Sequence, residues 1–270
     1  MKWRFIEDAA AGGPENMARD ELCLAHAMET GRPTLRLYGW DRPVLSVGRN
    51  QKLERQIDLA ACRDEGIPLL RRMTGGRGVL HGTDITYAVA APTQGGRFSP
   101  GIMAIYGEIS RVLVRFFQDL GRSPRVKTYS GGERGQMASA VCFATPSAFE
   151  ILIDGKKVVG SAQRLHPRAF LQHGSIPLHP QQDILCRIFK GVTAGEIESQ
   201  MTDLQSLGLL ESHDREALLA RLASAFEEEL GVTLEHEPWS GQELERTRAL
   251  RPAYEYLEQE TAPEAVAAGR

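Results

Sequence analysis

The 270-residue chain contains no run of about 18 apolar residues, which excludes a helix able to span a membrane. Its first residues, Met1-Lys2-Trp3-Arg4-Phe5-Ile6-Glu7-Asp8, lack the apolar core of a secretion signal. A soluble, cytoplasmic protein with no membrane partner is therefore expected. Positive charge is not in excess: 32 Lys and Arg against 35 Asp and Glu leave a net charge of -3, with no general pull toward nucleic acid. DNA and RNA are not expected as partners, although Arg71, Arg72 and Arg77 can form a local basic patch. Cysteine is scarce. Cys23, Cys62, Cys142 and Cys186 lie far apart, with no C-x-x-C pair and no histidine at zinc-finger spacing, so neither a disulfide framework nor a metal site is indicated. The familiar phosphate loops are missing as well: there is no G-x-x-x-x-G-K-[ST], and no G-x-G-x-x-G opens a helix.

What is present suits one enzyme-sized domain, because a chain of this length that is 42% hydrophobic can bury a substantial core. Asn16 followed by acids predicts an N-cap and a helix to about Glu29, stopped by Gly31-Arg32-Pro33. Strand-like runs follow at Thr34 to Tyr38, Val44 to Gly48 and Asp84 to Val89, the first two separated by a Gly39-Trp40-Asp41-Arg42-Pro43 turn. Helical periodicity returns from Ile102 to Leu120, with Ile105, Ile109, Leu113 and Phe116 or Phe117 on one stripe. Ser123 to Ser139 reads as a loop. Phe149 to Ile153 and Lys157 to Gly160 flank Asp154-Gly155, which predicts a tight hairpin. Gln172 to Leu178 reads as a strand, residues 182 to 230 as mainly helical, and Thr261 to Arg270 as a disordered tail. The mixture predicts an α+β fold on a mixed or antiparallel sheet flanked by helices.

One block stands out for chemistry. Arg71-Arg72-Met73-Thr74-Gly75-Gly76-Arg77-Gly78-Val79-Leu80-His81 sets three glycines among three arginines after the apolar Ile67-Pro68-Leu69-Leu70. Glycine lets backbone approach a ligand closely, and guanidinium or imidazole groups can hold carboxylate, phosphate or acyl oxygens. An exposed turn has the same composition, so the block alone does not name a ligand. Cys23 and Cys186 sit on apolar helix faces and read as core, and Cys62 invites the same reading. Cys142, in Ser139-Ala140-Val141-Cys142-Phe143-Ala144-Thr145-Pro146-Ser147, follows a glycine-bearing loop and is a candidate nucleophile. Lys157, across the Asp154-Gly155 hairpin, can supply the charge that lowers a thiol pKa; the competing reading makes Cys142 a core residue and Lys157 a solvated hairpin lysine. His81 and His173 can bond a ligand or serve structure. Gly160-Ser161-Ala162-Gln163 offers small residues past which a chain-like ligand can thread.

Taken in order, the 71–81 block, Gly155-Lys156-Lys157-Val158-Val159-Gly160-Ser161-Ala162-Gln163 and Leu171-Gln172-His173-Gly174-Ser175-Ile176 resemble the catalytic domain shared by lipoate-protein ligases, octanoyltransferases and biotin ligases. The resemblance runs from near Trp3 to about residue 240, which places the catalytic domain at 1–240 and leaves 241–270 as a helical extension and disordered tail. Val141-Cys142-Phe143 with Pro146-Ser147 and Glu150 is similar to the cysteine segment of the LipM-type octanoyltransferases. That resemblance implies Cys142 as the acyl-thioester nucleophile and Lys157 as the cation beside it. It implies Arg71, Arg72, Thr74, Gly75, Gly76, Gly78, His81, Gly160, Ser161, Ala162, His173 and Gly174 as the substrate-binding set. The implied donor is octanoyl-acyl carrier protein, and the implied acceptor a lysine of a lipoyl domain or of the glycine-cleavage H protein. A thioester donor is already activated, so no ATP, metal or other cofactor is expected. The alternative is an ATP-dependent lipoate-protein ligase, with Lys157 on the phosphate of an acyl-adenylate. A silent acyl-binding protein is a further rival, set against the presence of both Cys142 and Lys157. Biotin ligation fits less well, because the block lacks the Gly-Arg-Gly-Arg-x-Gly pattern.

Overall fold

The computed structural model describes residues 1–128 and 149–257. In chain order the strands of its main sheet are β1 (Lys2–Glu7), β2 (Thr34–Tyr38), β6 (Asp84–Pro92), β10 (Gly160–Leu165), β11 (Ala169–Pro177) and β12 (Thr233–His236). They lie in the order β10-β11-β6-β2-β1-β12, antiparallel from β10 through β2 and parallel from β2 through β12. This is the mixed sheet expected from the sequence. Two three-stranded sheets flank it. One joins β4 (Leu69–Arg71), β3 (Val44–Val47) and β5 (Val79–His81); the other joins β7 (Arg125–Thr128), β8 (Phe149–Ile153) and β9 (Lys156–Lys157).

Side-chain alternation along β6 explains the layering. Ile85, Tyr87, Val89 and Ala91 join the core shared with α3 (Ile102–Asp119) and α6 (Arg215–Leu230), while Ala88 and Ala90 join the cluster beneath α1 (Gly13–Thr30). The alanines let α1 sit close to the sheet. In α3 the residues Ile105, Ile109, Val112, Leu113, Phe116 and Phe117 are all buried, the predicted stripe widened by Val112 and the second phenylalanine. Each such side chain contributes about 1.5–3 kcal/mol when fully removed from water. Among the described residues no helix is long and apolar enough to cross a membrane.

Several local readings are corrected. Asn16 does not cap α1, which begins at Gly13 with Pro14 in its first turn. Its amide instead donates to the carbonyls of Ala11 (3.2 Å) and Gly39 (2.9 Å), and its Oδ1 accepts from Arg36 (2.8 Å). The residue type was read for local capping, but tertiary packing uses the same polarity. The Gly39–Pro43 turn passes the chain from the main sheet to a separate one, so β2 and β3 never pair. The start of the expected 123–139 loop is strand β7, antiparallel to β8. All four of its side chains are exposed, so no alternation marked it. Cys186 is half-buried, its thiol donating to the Asp183 carbonyl at 3.2 Å, rather than a core residue; Cys23 and Cys62 are buried.

The Asp154-Gly155 hairpin forms as expected, with both residues at positive φ (51° and 79°) between β8 and β9. At the other end α7 (Gly241–Leu250) packs on α1. Arg4 donates to Glu243 at 2.9 Å, and Arg246 pairs with Glu29 at 2.9 Å. Past α7, Leu257 N donates to the Leu69 carbonyl at 2.7 Å. Residues 241–257 thus fold back on the body that precedes them. The expected tail, Thr261 to Arg270, lies outside the described residues.

Candidate active site

The sheet geometry brings the distant sequence blocks to one cavity of about 350 Å3, counted with its opening. Met17 of α1, Tyr38, Trp40 and Val79 supply apolar wall. Ser46, Arg72, His81 and Thr86 supply polar wall, and Gly160-Ser161-Ala162 with His173-Gly174-Ser175 complete the lining. Its lining has the mix usual in ligand sites, apolar surface with a few placed polar groups. Seven residues singled out from sequence, Arg72, His81, Gly160, Ser161, Ala162, His173 and Gly174, line it together.

Two buried relays with Arg72 between them shape the polar side. In one, Asp84 Oδ2 accepts from His81 Nδ1 (2.9 Å), and His81 Nε2 meets the Ser46 hydroxyl (2.9 Å). In the other, Asp20 Oδ2 accepts from His173 Nδ1 (2.8 Å), and His173 Nε2 meets the Thr74 hydroxyl (2.7 Å). A carboxylate on Nδ1 fixes the tautomer, so each hydroxyl donates to Nε2 and is left to accept from elsewhere. Arg72 supplies those donors: Nε to Thr74 (3.1 Å) and Nη1 to Ser46 Oγ (3.2 Å) and to the Ser46 carbonyl (2.9 Å). Its Nη2 donates to the carbonyls of Gly75 (2.7 Å) and Arg77 (2.8 Å). Arg72 therefore lines the cavity while its donors hold protein oxygens, and it fixes the glycine turn in place. The Trp40 ring stacks on His81 at 4.0 Å and bonds Thr86 through its indole N–H.

The carboxylates stay ionised for a structural reason. Burial alone would raise Asp20, but bonds from His173 and Tyr38 and the Arg36 charge outweigh it and hold the carboxyl below its usual range. Burial likewise opposes Asp84, and His81, Ser175 and the Gly82 N–H together bring it down. Burial pushes the His173 imidazole below its ordinary 6.5, against the opposing pull of Asp20. The unfolded chain takes up that proton first, so the stability contributed is complete above about pH 6.5 and is lost as pH falls below it. Urea midpoints measured from pH 7.5 to 5.5 should decline, and His173→Gln should remove part of that decline; an unchanged slope in the variant would refute this origin.

The other singled-out residues take different places. Arg71 Nη1 donates to the carbonyls of Gly48 (2.7 Å), Arg49 (3.1 Å) and Gln51 (3.1 Å), holding the following loop. Thr74 is buried as the link between Arg72 and His173. Gly75 and Gly76 border a second cleft, and Gly76 has φ +90°. A Cβ on Gly48 would stand 2.0 Å from the Gly76 carbonyl oxygen, so the two loops touch backbone to backbone. Gly78 sits against Phe189, 2.7 Å from where a Cβ would lie. Lys157 is 2% exposed and pairs with Glu150 at 3.0 Å, so it is not a solvated hairpin lysine. Its carbonyl accepts from Thr202 N at 2.9 Å. Cys142 lies outside the described residues.

Sequence reasoning missed Asp20, Asp84, Trp40 and Ser46. Asp84 was accessible, three residues past His81 at the start of the strand that follows the block. Asp20 carried a weaker signal, one helical turn after Asn16 on a helix whose Met17, Leu24 and Ala27 are buried.

Residues 13–227 match the family described as the lipoyl protein ligase A/B catalytic domain. The chain is 34% identical over 266 residues to the octanoyltransferase LipM of Kyrpidia tusciae, covering 93% of this chain and 96% of that one. It is 38% identical over 189 residues to the octanoyltransferase LipM of Carboxydothermus hydrogenoformans, covering 70% and 69%. Among solved structures, a T. acidophilum protein described as a lipoate protein ligase with bound lipoic acid superposes with a TM-score of 0.77 at 20% identity, over 94% of this chain and 96% of that one. A lipoate-protein ligase A bound with ATP gives 0.78 at 20% identity, over 93% and 95%. At that identity the solved structures show the fold.

Proposed function

We infer the reaction from one premise: the chain belongs to the lipoyl protein ligase A/B catalytic-domain family, among its octanoyltransferase LipM members. It is an acyltransferase that moves an octanoyl group in protein lipoylation, and we propose lipoyl domains as its acceptors. We further propose that the donor is octanoyl-acyl carrier protein, that Cys142 carries the acyl group as a thioester, and that the H protein of glycine cleavage is an immediate acceptor. The observation that supports this course most directly is the cavity itself, where residues of the three sequence blocks meet around a largely apolar lining.

In the first step the Cys142 thiolate attacks the donor thioester carbonyl, the carbon–sulfur bond to the donor breaks, and the departing pantetheine sulfur takes up a proton. In the second the acceptor lysine amine attacks the enzyme thioester; an amide forms, and the amine proton accompanies the release of Cys142. No bond needs energy from ATP, because each thioester is already activated. Lys157 supplies a fixed positive charge that favours thiolate over thiol and polarises the thioester carbonyl. Its pairing with Glu150 supports this role, since a lone ammonium would be costly to keep at that depth. The remaining singled-out residues, Arg71 to His81 and Gly160 to Gly174, shape the acyl pocket and its mouth.

Intact-protein mass spectrometry after mixing with octanoyl-acyl carrier protein, without ATP, tests this course. A hydroxylamine-labile octanoyl adduct mapping to Cys142 is the expected result. An acceptor acylated only when free octanoate, ATP and magnesium are added would replace it with the ligase reading.

A further inference from the structure

The Gly75-Gly76-Arg77 stretch also lines a second concavity. This is an open cleft of about 890 Å3, counted with its opening to solvent, whose facing wall is the 50–56 segment. Lys52, Arg55 and Arg77 contribute three cations, the other lining residues are amides and glycines, and none is acidic. Several surface arginines of this chain pair with carboxylates: Arg32 with Glu235 and Glu237, Arg187 with Glu65, Arg246 with Glu29. Lys52 and Arg55 have no carboxylate partner among the described residues.

The cleft is a built feature. Arg71 ties down the carbonyls of residues 48, 49 and 51 on one wall, and Arg72 those of residues 75 and 77 on the other. Arg49 N donates to the Thr74 carbonyl at 2.9 Å, joining the walls, and the Gln51 and Gln56 amides bond each other at 3.0 Å. The cleft adjoins the acyl cavity. A Cβ on Gly76 would meet Arg72 Nη2 at 2.8 Å and Ala162 Cβ at 4.0 Å, both from residues that line the cavity, so the cleft wall at Gly76 stands against the cavity wall.

We propose that this cleft binds the phosphate of the donor's pantetheine arm while the acyl group occupies the neighbouring cavity, an inference that rests on the thioester-donor reaction above. The donor is a linear molecule with an apolar acyl end and, further along the arm, a phosphate. The protein offers a small apolar cavity and, next to it, a cationic cleft free of carboxylates. Guanidinium and ammonium groups bind phosphate by charge-assisted hydrogen bonds, and a fixed cluster of them also speeds encounter with an acidic carrier. An ATP phosphate would satisfy the same cations, so the test separates the two sources.

The experiment compares kcat/KM for octanoyl-4′-phosphopantetheine with that for octanoyl-pantetheine, which lacks the phosphate, in wild type and in Lys52→Ala/Arg55→Ala. Wild type is expected to prefer the phosphorylated donor on the order of tenfold, chiefly through KM, and the double variant to lose that preference. An unchanged preference in the variant overturns the site while leaving the transferase reading intact. A loss confined to ATP-dependent charging from free octanoate assigns the cleft to a nucleotide and also overturns the proposal. Failure of wild type to use any thioester removes the transferase reading, and the pantetheine site with it.

Discussion

Cys142→Ala is expected to lower octanoyl transfer from the proposed carrier-protein donor by at least about a thousandfold, the size of loss typical when a covalent nucleophile is removed. The other cysteines do not suit the role. Burial pushes the Cys23 thiol up to about 12 and the Cys62 thiol to about 11, which leaves almost no thiolate at neutral pH. Cys186 is half-buried on α4 (Gln182–Ile188) with its thiol on the Asp183 carbonyl. Cys142→Ser is expected to be nearly as inactive, because a serine hydroxyl needs a general base where a thiol needs only a neighbouring cation. Steady-state transfer assays, with melting curves to show retained folding, measure this directly. Activity within about tenfold of wild type in the alanine variant would eliminate the thioester course.

Lys157→Met is expected to damage both stability and chemistry, and a second substitution separates the two. Glu150 is as deeply placed as its partner, with side-chain exposures of 7% and 2%. Removing the ammonium leaves a buried carboxylate without its cation, which costs about 3–5 kcal/mol. Adding Glu150→Gln removes that charge, and most of the lost stability should return in urea unfolding. Transfer should not return, since neither methionine nor glutamine can supply the positive charge that favours thiolate and polarises a thioester. If the double variant regained both stability and turnover, Lys157 would be a structural residue only.

The sequence was most legible where a signal is local. The 3.6-residue repeat of Ile105, Ile109 and Leu113 specifies an amphipathic helix wherever it docks, and Asp154-Gly155 specifies a turn whose positive φ values those residue types tolerate. The glycine-arginine block marked a ligand-sized feature for the same reason. Strand β7 was illegible because its exposed side chains carry no alternation, and its pairing with β8 spans the segment between them. The Asp20 to His173 bond joins residues 153 apart, and no local pattern reports such a pair.

By itself, then, the sequence determined the α+β class, the motif blocks that belong to one chemistry, and the candidacy of Cys142 and Lys157, because these rest on residue types and short spacings. Only the tertiary structure decided what the blocks do to each other. It turned Arg72 inward as the link between two aspartate-histidine relays, sent Arg71 to the neighbouring loop, and buried Lys157 against Glu150. It also left Lys52 and Arg55 facing a cleft beside the cavity. Side-chain partners are chosen by which strands lie adjacent and by the high cost of burying an unpaired charge, and both are properties of the assembled sheet rather than of any segment of the chain.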